Sequence, residues 1–302
     1  MLPDGMVFIQ RDWLSSNSLL LLNSHFSALI DTGYECHAPL LADLVRHHLA
    51  DQPLDQLLNT HLHSDHCGGN ALLQRLYPNV QIGVPCFSLE TTLQWDEDAL
   101  TYQATGQTCP RFQPHFGILP GDSLELAGFV WEALHSPGHD NDSLIFFEPT
   151  HRLLISADAL WESGLAVVFP AFLGGPSFDA VARSLDLIEG LNPSWVIPGH
   201  GPMFSNPSDA IALARSRLHM FDKHPEKHAW YAAKVMVKFK LMAAQSLPMT
   251  DFLNWADQAS LLSLIHAHYF DQVKWNVWLE SVSQELIQKK AIFCTEGVLY
   301  NH

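Results

Sequence analysis

The sequence predicts a layered α/β domain followed by a smaller, mainly helical one. As far as about residue 205, short apolar or alternating runs typical of strands are interspersed with runs at helical spacing. Beyond that point the pattern becomes helical, and four of the nine tryptophans follow residue 223. We therefore expect one domain over residues 1–205 and a second over residues 206–302.

The first domain divides into two similar halves, each with strands and then helices. Polar breaks around the apolar runs predict strands over residues 6–10, 18–23, 27–31, 55–59, 80–84, 123–126, 130–135, 143–147, 153–156 and 195–197. Apolar residues at helical spacing predict helices over residues 40–49, 70–76 and 178–191. Elements of this kind are typical of a fold built from packed layers.

Residues 88–118 are less regular than the segments around them. They carry aromatic residues between the breakers Gly106, Pro110 and Pro114. Long irregular segments often form lids or binding loops, so we expect an inserted helix and loop near the mouth of a site. A surface excursion without substrate contact is an equal alternative.

The C-terminal part predicts helices and then a hairpin. The helices are expected over residues 208–222, 229–242 and 275–289, and two short strands near residues 291–293 and 297–300. This order resembles a winged-helix-like cap. No basic recognition face accompanies it, so a structural or dimerisation role is the preferred interpretation.

The segment Thr60-His61-Leu62-His63-Ser64-Asp65-His66-Cys67-Gly68-Gly69 is the richest in potential metal ligands. In an extended segment His61 and His63 face the same way and can reach one ion. If the chain then turns, Asp65 and His66 can face a second ion. The glycine pair is expected to allow close backbone approach and a positive φ where the loop leaves the site.

Three later segments complete a recognisable pattern. The loop matches the THxHxDH signature of the metallo-β-lactamase superfamily. The chain also carries that family's Gly-His step at His139, its strand-end aspartate at Asp158 and its final Gly-His step at His200. The resemblance covers about residues 5–205.

The resemblance implies both the fold and the metal centre. The fold would be of the α+β class, a four-layer αββα sandwich with a small, mainly helical C-terminal domain. Two divalent ions are implied, with zinc as the first choice and iron or manganese as alternatives. The first ion would take His61, His63 and His139; the second would take Asp65, His66 and His200, with Asp158 bridging the two.

The branch of the family follows from two positions. A bridging carboxylate such as Asp158 is typical of the glyoxalase-II-like branch, whereas Ser64 stands where the diiron oxygen-reducing relatives carry an acidic residue. The resemblance thus implies a hydrolase that uses a metal-bridging hydroxide on a small ester or thioester. Asp65 would also orient the attacking water, and no serine or cysteine nucleophile is needed.

Three other functions remain open. A mono-iron persulfide dioxygenase keeps the same signature but uses only two histidines and one aspartate. An RNase-Z-like nuclease is suggested by the cap. A regulator that retains the metal site would act through its surface.

Several neighbouring residues have two interpretations each. Thr60, Ser136, Asp140 and Asp142 could orient the ligands or could be ordinary turn residues. Cys67 could be a ligand, although a small residue packed behind the loop is the preferred interpretation. Trp161 could line an acyl-group pocket or close the edge of the core.

Composition limits the partners. The net charge is −16, with 16 basic residues in 302, which disfavours nucleic acid and leaves a small-molecule substrate. The five cysteines form no CxxC pair, so we expect a reducing, cytoplasmic location. Neither a secretory signal nor a membrane-spanning run is expected, and a homodimer stays open.

Overall fold

The structure is a computed structural model that describes residues 2–175 and 177–302. It divides into two compact units. The first comprises Met1–Leu100 and Cys109–Leu218, and the second comprises Thr101–Thr108 and His219–His302.

Two six-stranded sheets form the first unit. In spatial order the first sheet contains β1 (Met6–Ile9), β2 (Ser18–Leu22), β3 (Ser27–Ile30), β4 (Gln56–Leu58), β5 (Gln81–Pro85) and β6 (Phe116–Ile118). Strands β1 to β3 pair antiparallel, and β3 to β6 pair parallel. The second sheet contains β7 (Ser123–Leu126), β8 (Phe129–His135), β9 (Leu144–Glu148), β10 (Leu153–Ala157), β11 (Trp195–Pro198) and β12 (Phe204–Ser205). Its one parallel pair is β10 with β11, and the other neighbours are antiparallel.

The inner faces of the two sheets share one apolar core. Leu19 and Leu21 from β2 belong to the same buried cluster as Trp131 from β8 and Phe146 from β9. Leu20 points to the opposite face of its sheet, because side chains alternate along a strand. It is also fully buried, so the outer face of this sheet is covered as well.

The helices of the first unit supply the outer layers and short turns. They are α1 (Ala38–Leu49), α2 (Ser64–Cys67), α3 (Asn70–Leu76), α4 (Leu89–Gln94), α6 (Pro170–Leu173) and α7 (Phe178–Leu191). The short helix α5 (Tyr102–Thr105) follows α4 in the chain but belongs to the second unit. Helix α1 buries the stripe Leu41, Val45 and Leu49, and α7 buries Val181, Leu185 and Ile188. The predicted α+β sandwich with four αββα layers is confirmed.

The second unit is mainly helical, as predicted. After α8 (Ser208–Lys223), whose residues fall in both units, it contains α9 (Pro225–Ala244), α10 (Met249–Gln258), α11 (Ser260–Tyr269) and α12 (Trp275–Gln288). A small sheet joins β13 (Ser246–Pro248), β15 (Val298–Asn301) and β14 (Ile292–Thr295) in that order. Strand β13 was not predicted. The domain boundary after residue 205 and the winged-helix-like character stay predictions.

The segment 88–118 does not behave as one insertion. Residues Thr101–Thr108, with α5, belong to the second unit, whereas α4 and β6 belong to the first. Within the second unit Trp255 Nε1 donates to Gly106 O at 3.0 Å. A Cβ on Gly106 would lie 2.3 Å from that indole nitrogen, so only glycine fits there.

No helix among residues 2–175 and 177–302 is long and apolar enough to cross a lipid bilayer.

Candidate metal centre

The seven predicted site residues lie together, on loops that follow strands. The motif loop follows β4, His139 follows β8, Asp158 follows β10 and His200 follows β11. The carboxyl ends of parallel neighbours such as β10 and β11 meet at one edge of a sheet. Side chains distant in the chain therefore converge. They form two groups, His61, His63 and His139 in one and Asp65, His66, Asp158 and His200 in the other.

The motif loop is extended at its start and then turns. His63 keeps extended backbone (φ −63°, ψ 147°), and α2 begins at the next residue, so Asp65 and His66 belong to a second group of side chains beside the first pair of histidines, as expected. Gly68 and Gly69 are right-handed, with φ values of −61° and −83°, so the predicted positive φ is wrong. The chain continues directly into α3 and does not leave the site through a left-handed turn.

Close backbone approach is the reason for these two glycines. A Cβ on Gly68 would lie 2.5 Å from Glu35 N, and one on Gly69 would lie 2.6 Å from Thr32 O. Any side chain at either position would displace the backbone that follows β3. This part of the sequence prediction is confirmed.

In the first group, three imidazole nitrogens face one another. His63 Nδ1 lies 3.2 Å from His61 Nε2 and 2.8 Å from His139 Nε2. His139 Nδ1 donates to Val167 O at 2.7 Å, which places its proton on Nδ1 and leaves Nε2 bare. Thr60 determines the tautomer of His61 in the same way: its hydroxyl donates to Asp31, so it accepts from His61 Nδ1 at 3.1 Å.

In the second group, buried imidazole nitrogens meet carboxylates. His66 Nδ1 donates to Asp31 Oδ2 at 2.8 Å. Its Nε2 faces Asp158 Oδ1 at 3.4 Å, and His200 Nε2 faces Asp65 Oδ2 at 3.2 Å. Among the described residues neither Nε2 atom has a partner in hydrogen-bonding geometry, although both are buried. Buried polar atoms of this kind require another partner, and a cation supplies one.

Asp158 lies between the two groups. Its Oδ2 is 3.3 Å from His139 Nε2 in the first group and 3.7 Å from His200 Nε2 in the second. Gly199 makes room for this carboxylate, because a Cβ there would lie 2.1 Å from Asp158 Oδ1 and 2.9 Å from His66 Cε1. The glycine of the final Gly-His step is therefore a steric requirement of the site.

The first group is electrically neutral at physiological pH. Burial lowers the pKa of His63 and of His139 to about 4, and the neighbouring His63 adds to this for His139. Burial and the facing imidazoles hold the pKa of His61 well below its usual range. Three neutral imidazoles leave their lone pairs free to bind a metal ion.

The second group carries the charge. Burial raises the pKa of Asp158, but His200 and His66 outweigh it and hold this pKa well below the usual range. Burial raises the pKa of Asp65, but the neighbouring His200 and His66 outweigh this and lower it. Burial opposes protonation of His66, yet Asp158 and Asp31 raise its pKa well above the usual value. The group thus contains two carboxylates, and their negative charge favours a cation nearby.

Asp31 is a further residue beside the two groups, and it was not predicted from the sequence. Its carboxylate accepts hydrogen bonds from Thr60 N, Thr60 Oγ1 and His66 Nδ1 at 2.7–2.9 Å. It thereby orients one histidine of each group, directly for His66 and through Thr60 for His61. The sequence did contain a signal for this position. Asp31 directly follows β3, and β4, the parallel neighbour of β3, leads into the motif loop.

The other candidates for orienting residues are arranged differently. Asp140 Oδ2 lies 3.8 Å from His63 Nε2, and Asp140 Oδ1 accepts from Asp142 N at 2.8 Å. Asp142 accepts from Ser88 Oγ at 2.6 Å, whereas Ser136 Oγ has no hydrogen-bond partner among the described residues. Thr60 is therefore the candidate with the clearest orienting contact. Asp142 contacts Asp140, which in turn lies near His63.

Cys67 lies behind the loop, outside both groups. Its buried Sγ lies 3.5 Å from Leu62 O and 3.3 Å from His63 O, the distances of weak S–H hydrogen bonds. The position agrees with the packing interpretation.

Aromatic rings border both groups. The Trp13 ring stacks on His200 with centroids 3.9 Å apart and an interplanar angle of 5°. Trp161 meets both rings edge-on, and its Nε1 donates to Asp158 Oδ1 at 3.1 Å. Phe169 packs edge-on against His63 and His139 in the first group. Trp13 carries no local sequence signal for this role.

Comparison with known proteins shows a consistent set of relatives. The chain is 26% identical over 227 residues to the acyl-coenzyme A thioesterase MBLAC2 of Bos taurus, covering 66% of this chain and 79% of that protein. It is 24% identical over 211 residues to a hydroxyacylglutathione hydrolase of Francisella philomiragia, covering 67% and 71%. The solved structure of TTHA1623 in a di-iron-bound form is 26% identical with a TM-score of 0.53, covering 68% of this chain and 96% of that one.

The family model of the metallo-beta-lactamase superfamily matches residues 11–200. That stretch holds all seven side chains of the two groups and nearly all of the two sheets. The chain therefore belongs to the metallo-beta-lactamase superfamily.

Proposed function

We propose that this protein is a dinuclear metallohydrolase that hydrolyses a thioester or another small ester. One observation carries the proposal: two ligand groups lie side by side, with the Asp158 carboxylate in contact with both. A carboxylate in that position is suited to bridge two ions.

The donor atoms fit two divalent cations. His63 Nδ1 lies 3.2 Å from His61 Nε2 and 2.8 Å from His139 Nε2, so the three nitrogens are close enough to share one cation, and they suit zinc. His61, His63 and His139 would hold the first ion, whereas Asp65, His66 and His200 would hold the second, with Asp158 shared. When bound, the ions supply an activated water and polarise the carbonyl of the substrate.

The chain's own residues supply orientation and proton acceptance. Asp31 and Val167 O hold His66 and His139, respectively, in the tautomers that leave their Nε2 atoms bare. Asp65 is ionised and faces His200, so its carboxylate can orient a water and accept its proton. No serine or cysteine nucleophile is part of this arrangement.

The substrate class rests on the relatives. One is an acyl-coenzyme A thioesterase and another is a hydroxyacylglutathione hydrolase, and the substrates of both are thioesters. We propose that this chain also cleaves a thioester bond. The proposal does not extend to the thiol part of either relative's substrate. The partner is then a small molecule, and the net charge of −16 argues against nucleic acid.

The metal is a separate part of the proposal. Zinc suits the imidazole-rich first group, and manganese would suit the carboxylates. Iron is supported by TTHA1623, whose structure is of a di-iron-bound form. Binding of either pair of ions uses the same seven residues.

Metal quantification beside a substrate panel tests the proposal. We expect about two ions per chain and hydrolysis of a thioester in preference to a lactone or a phosphodiester. His61→Ala should abolish turnover, whereas His47→Ala, an exposed histidine on α1, should not. One ion and no ester hydrolysis would refute the proposal; oxygen uptake with a persulfide would instead identify a dioxygenase, and cleavage of single-stranded RNA a nuclease.

A further inference from the structure

Trp13 is unusually exposed for a large side chain beside buried polar groups. Half of its surface is accessible, although its ring stacks on the buried imidazole of His200. One face of the indole is therefore occupied by His200, and a large part of the remainder is open to solvent. Exposed apolar surface at the rim of a site often marks a binding surface.

The loop that carries Trp13 is held in place by both ligand-bearing segments. Ser16 N donates to Asp65 O at 2.9 Å, and Asn17 N donates to Gly199 O at 2.7 Å. The Asn17 side chain also donates to the carbonyl oxygens of Pro198 and Gly201 at 2.8–2.9 Å. The position of Trp13 is thus set by the site itself, which is what a binding surface requires.

Trp161 extends the same surface. Its ring meets Trp13 with centroids 5.3 Å apart at 81°, and its one polar atom, Nε1, is used by Asp158. Together we name Trp13 and Trp161 the aromatic wall. The aromatic wall offers ring faces and edges but no free charge, so it favours apolar groups.

We propose that the aromatic wall binds the acyl group of the substrate and selects thioesters with an extended apolar acyl chain over acetyl thioesters. This rests on the proposed hydrolase function. The acyl part fits the wall better than the thiol part, because biological thiol carriers are polar and charged. The exposed Glu162 beside Trp161 would repel an anionic carrier.

Carboxylates, which are the acyl products of hydrolysis, separate the contact of the acyl chain with the aromatic wall from the contact of the head group with the metal ions. Acetate and octanoate share the same head group, so the ratio of their dissociation constants in the metal-loaded protein reports the chain alone. We expect octanoate to bind at least about tenfold more tightly than acetate. Trp13→Ala should reduce that ratio about tenfold, measured by calorimetry, and should raise KM for an octanoyl but not an acetyl thioester.

Trp195→Ala is the matched control, because Trp195 is a partly exposed tryptophan at the opposite end of β11 from His200. It should leave the ratio unchanged. Trp13→Phe keeps a ring over His200 and should reduce the ratio about threefold with full metal content. If Trp13→Ala loses metal, the ratio measured in Trp13→Phe tests the proposal in its place.

Equal weakening of acetate and octanoate in Trp13→Ala would overturn the proposal, since it would show that Trp13 only supports His200. An unchanged ratio in Trp13→Phe at full metal content would overturn it too. The carboxylate ratio requires no turnover. If the wild-type protein hydrolyses no thioester, the proposed function fails, while the ratio still tests the aromatic wall.

Discussion

The two units differ most in the polar groups that they bury. The first unit buries three aspartates, Asp31, Asp65 and Asp158, together with four of the five histidines of the two groups, which are His61, His63, His66 and His200. In the described part of the second unit the buried polar side chains are Thr105, His228 and Ser283, and only the histidine can titrate. Ser283 and Thr105 simply donate back to carbonyl oxygens one turn earlier.

This contrast assigns the chemistry to the first unit. Burying an ionised carboxylate is unfavourable unless other groups compensate for it, so such clusters concentrate at functional sites. The second unit keeps its main ionic network, Lys234, Glu285 and Lys289, partly exposed and fills its interior with rings such as Trp278 and Phe252.

The largest effect is expected at Asp158. Asp158→Ala removes the carboxylate that contacts both groups, so kcat/KM for the thioester substrate should fall by about 10³-fold or more. Metal content, measured by elemental analysis, should fall with it. Asp186→Ala changes an exposed aspartate of the same unit and should have no effect. Full metal content with near wild-type turnover in Asp158→Ala would contradict the role given to Asp158.

Asp31→Asn should have a smaller effect on the same site. Asparagine tolerates the φ of 59° at this position, so the backbone is preserved. Its amide nitrogen would compete with the proton donors of His66 and Thr60, and metal affinity should fall by about 10- to 100-fold. Competition with a chelator measures this, with the exposed Asp43→Asn as control. Equal affinities in the two variants would show that Asp31 does not orient the ligands.

In the second unit, His228 should make stability pH-dependent. Burial lowers its pKa in the folded state to about 4, below the usual 6.5, and its ring packs against Phe221. Between these pH values the unfolded chain binds a proton that the folded chain does not, so stability decreases as pH falls from 6.5 to 4. The loss should be on the order of 2 kcal/mol.

His228→Phe should abolish that part of the pH dependence. Urea unfolding of the wild-type protein and the variant at pH 7 and pH 4.5 measures the difference, and comparing the two proteins removes the contribution of the metal-site histidines. Parallel stability profiles for the two proteins would contradict the assignment to His228.

The smallest effect is expected at Glu285. Burial raises its pKa, but the hydrogen bonds from Lys234, Lys289 and Trp230 together outweigh this and lower the pKa to about 2. Glu285→Gln should destabilise the protein by about 0.5–1 kcal/mol at pH 7, because the network is partly exposed to solvent. The loss should shrink as pH falls from about 4.5 towards 2, where the wild-type carboxylate takes up its proton. If the destabilisation by Glu285→Gln does not depend on pH, Glu285 stabilises the protein through packing and not through its charge.

Several elements were predicted to the residue. Helices α3 and α7 and strand β7 have the bounds that periodicity and breakers indicated, because those signals are local. Strand β13 was missed. It has three residues, it contains Pro248, and its partner β15 lies far along the chain, so nothing local distinguishes it.

The ligands and their supports differ in the same way. The seven predicted metal ligands were indicated by residue type and spacing, and the structure brings their side chains together in two groups. The groups that contact and orient these side chains are of types found throughout proteins. They are an aspartate after a strand, the Val167 carbonyl and a tryptophan in the loop between β1 and β2. The irregular segment 88–118 likewise gave no sign that Thr101–Thr108 belongs to the second unit.

Local pattern was thus enough to indicate the family, the sandwich and the seven side chains that form the two groups, since each depends on residue type and on spacing within a few residues. Tertiary structure alone decided how those side chains are oriented and charged. Asp31 reaches His66, Asp158 reaches both groups, and Trp13 covers His200 only because strands distant in the chain end at the same edge of the two sheets. Burial at that edge then sets the protonation states on which metal binding depends.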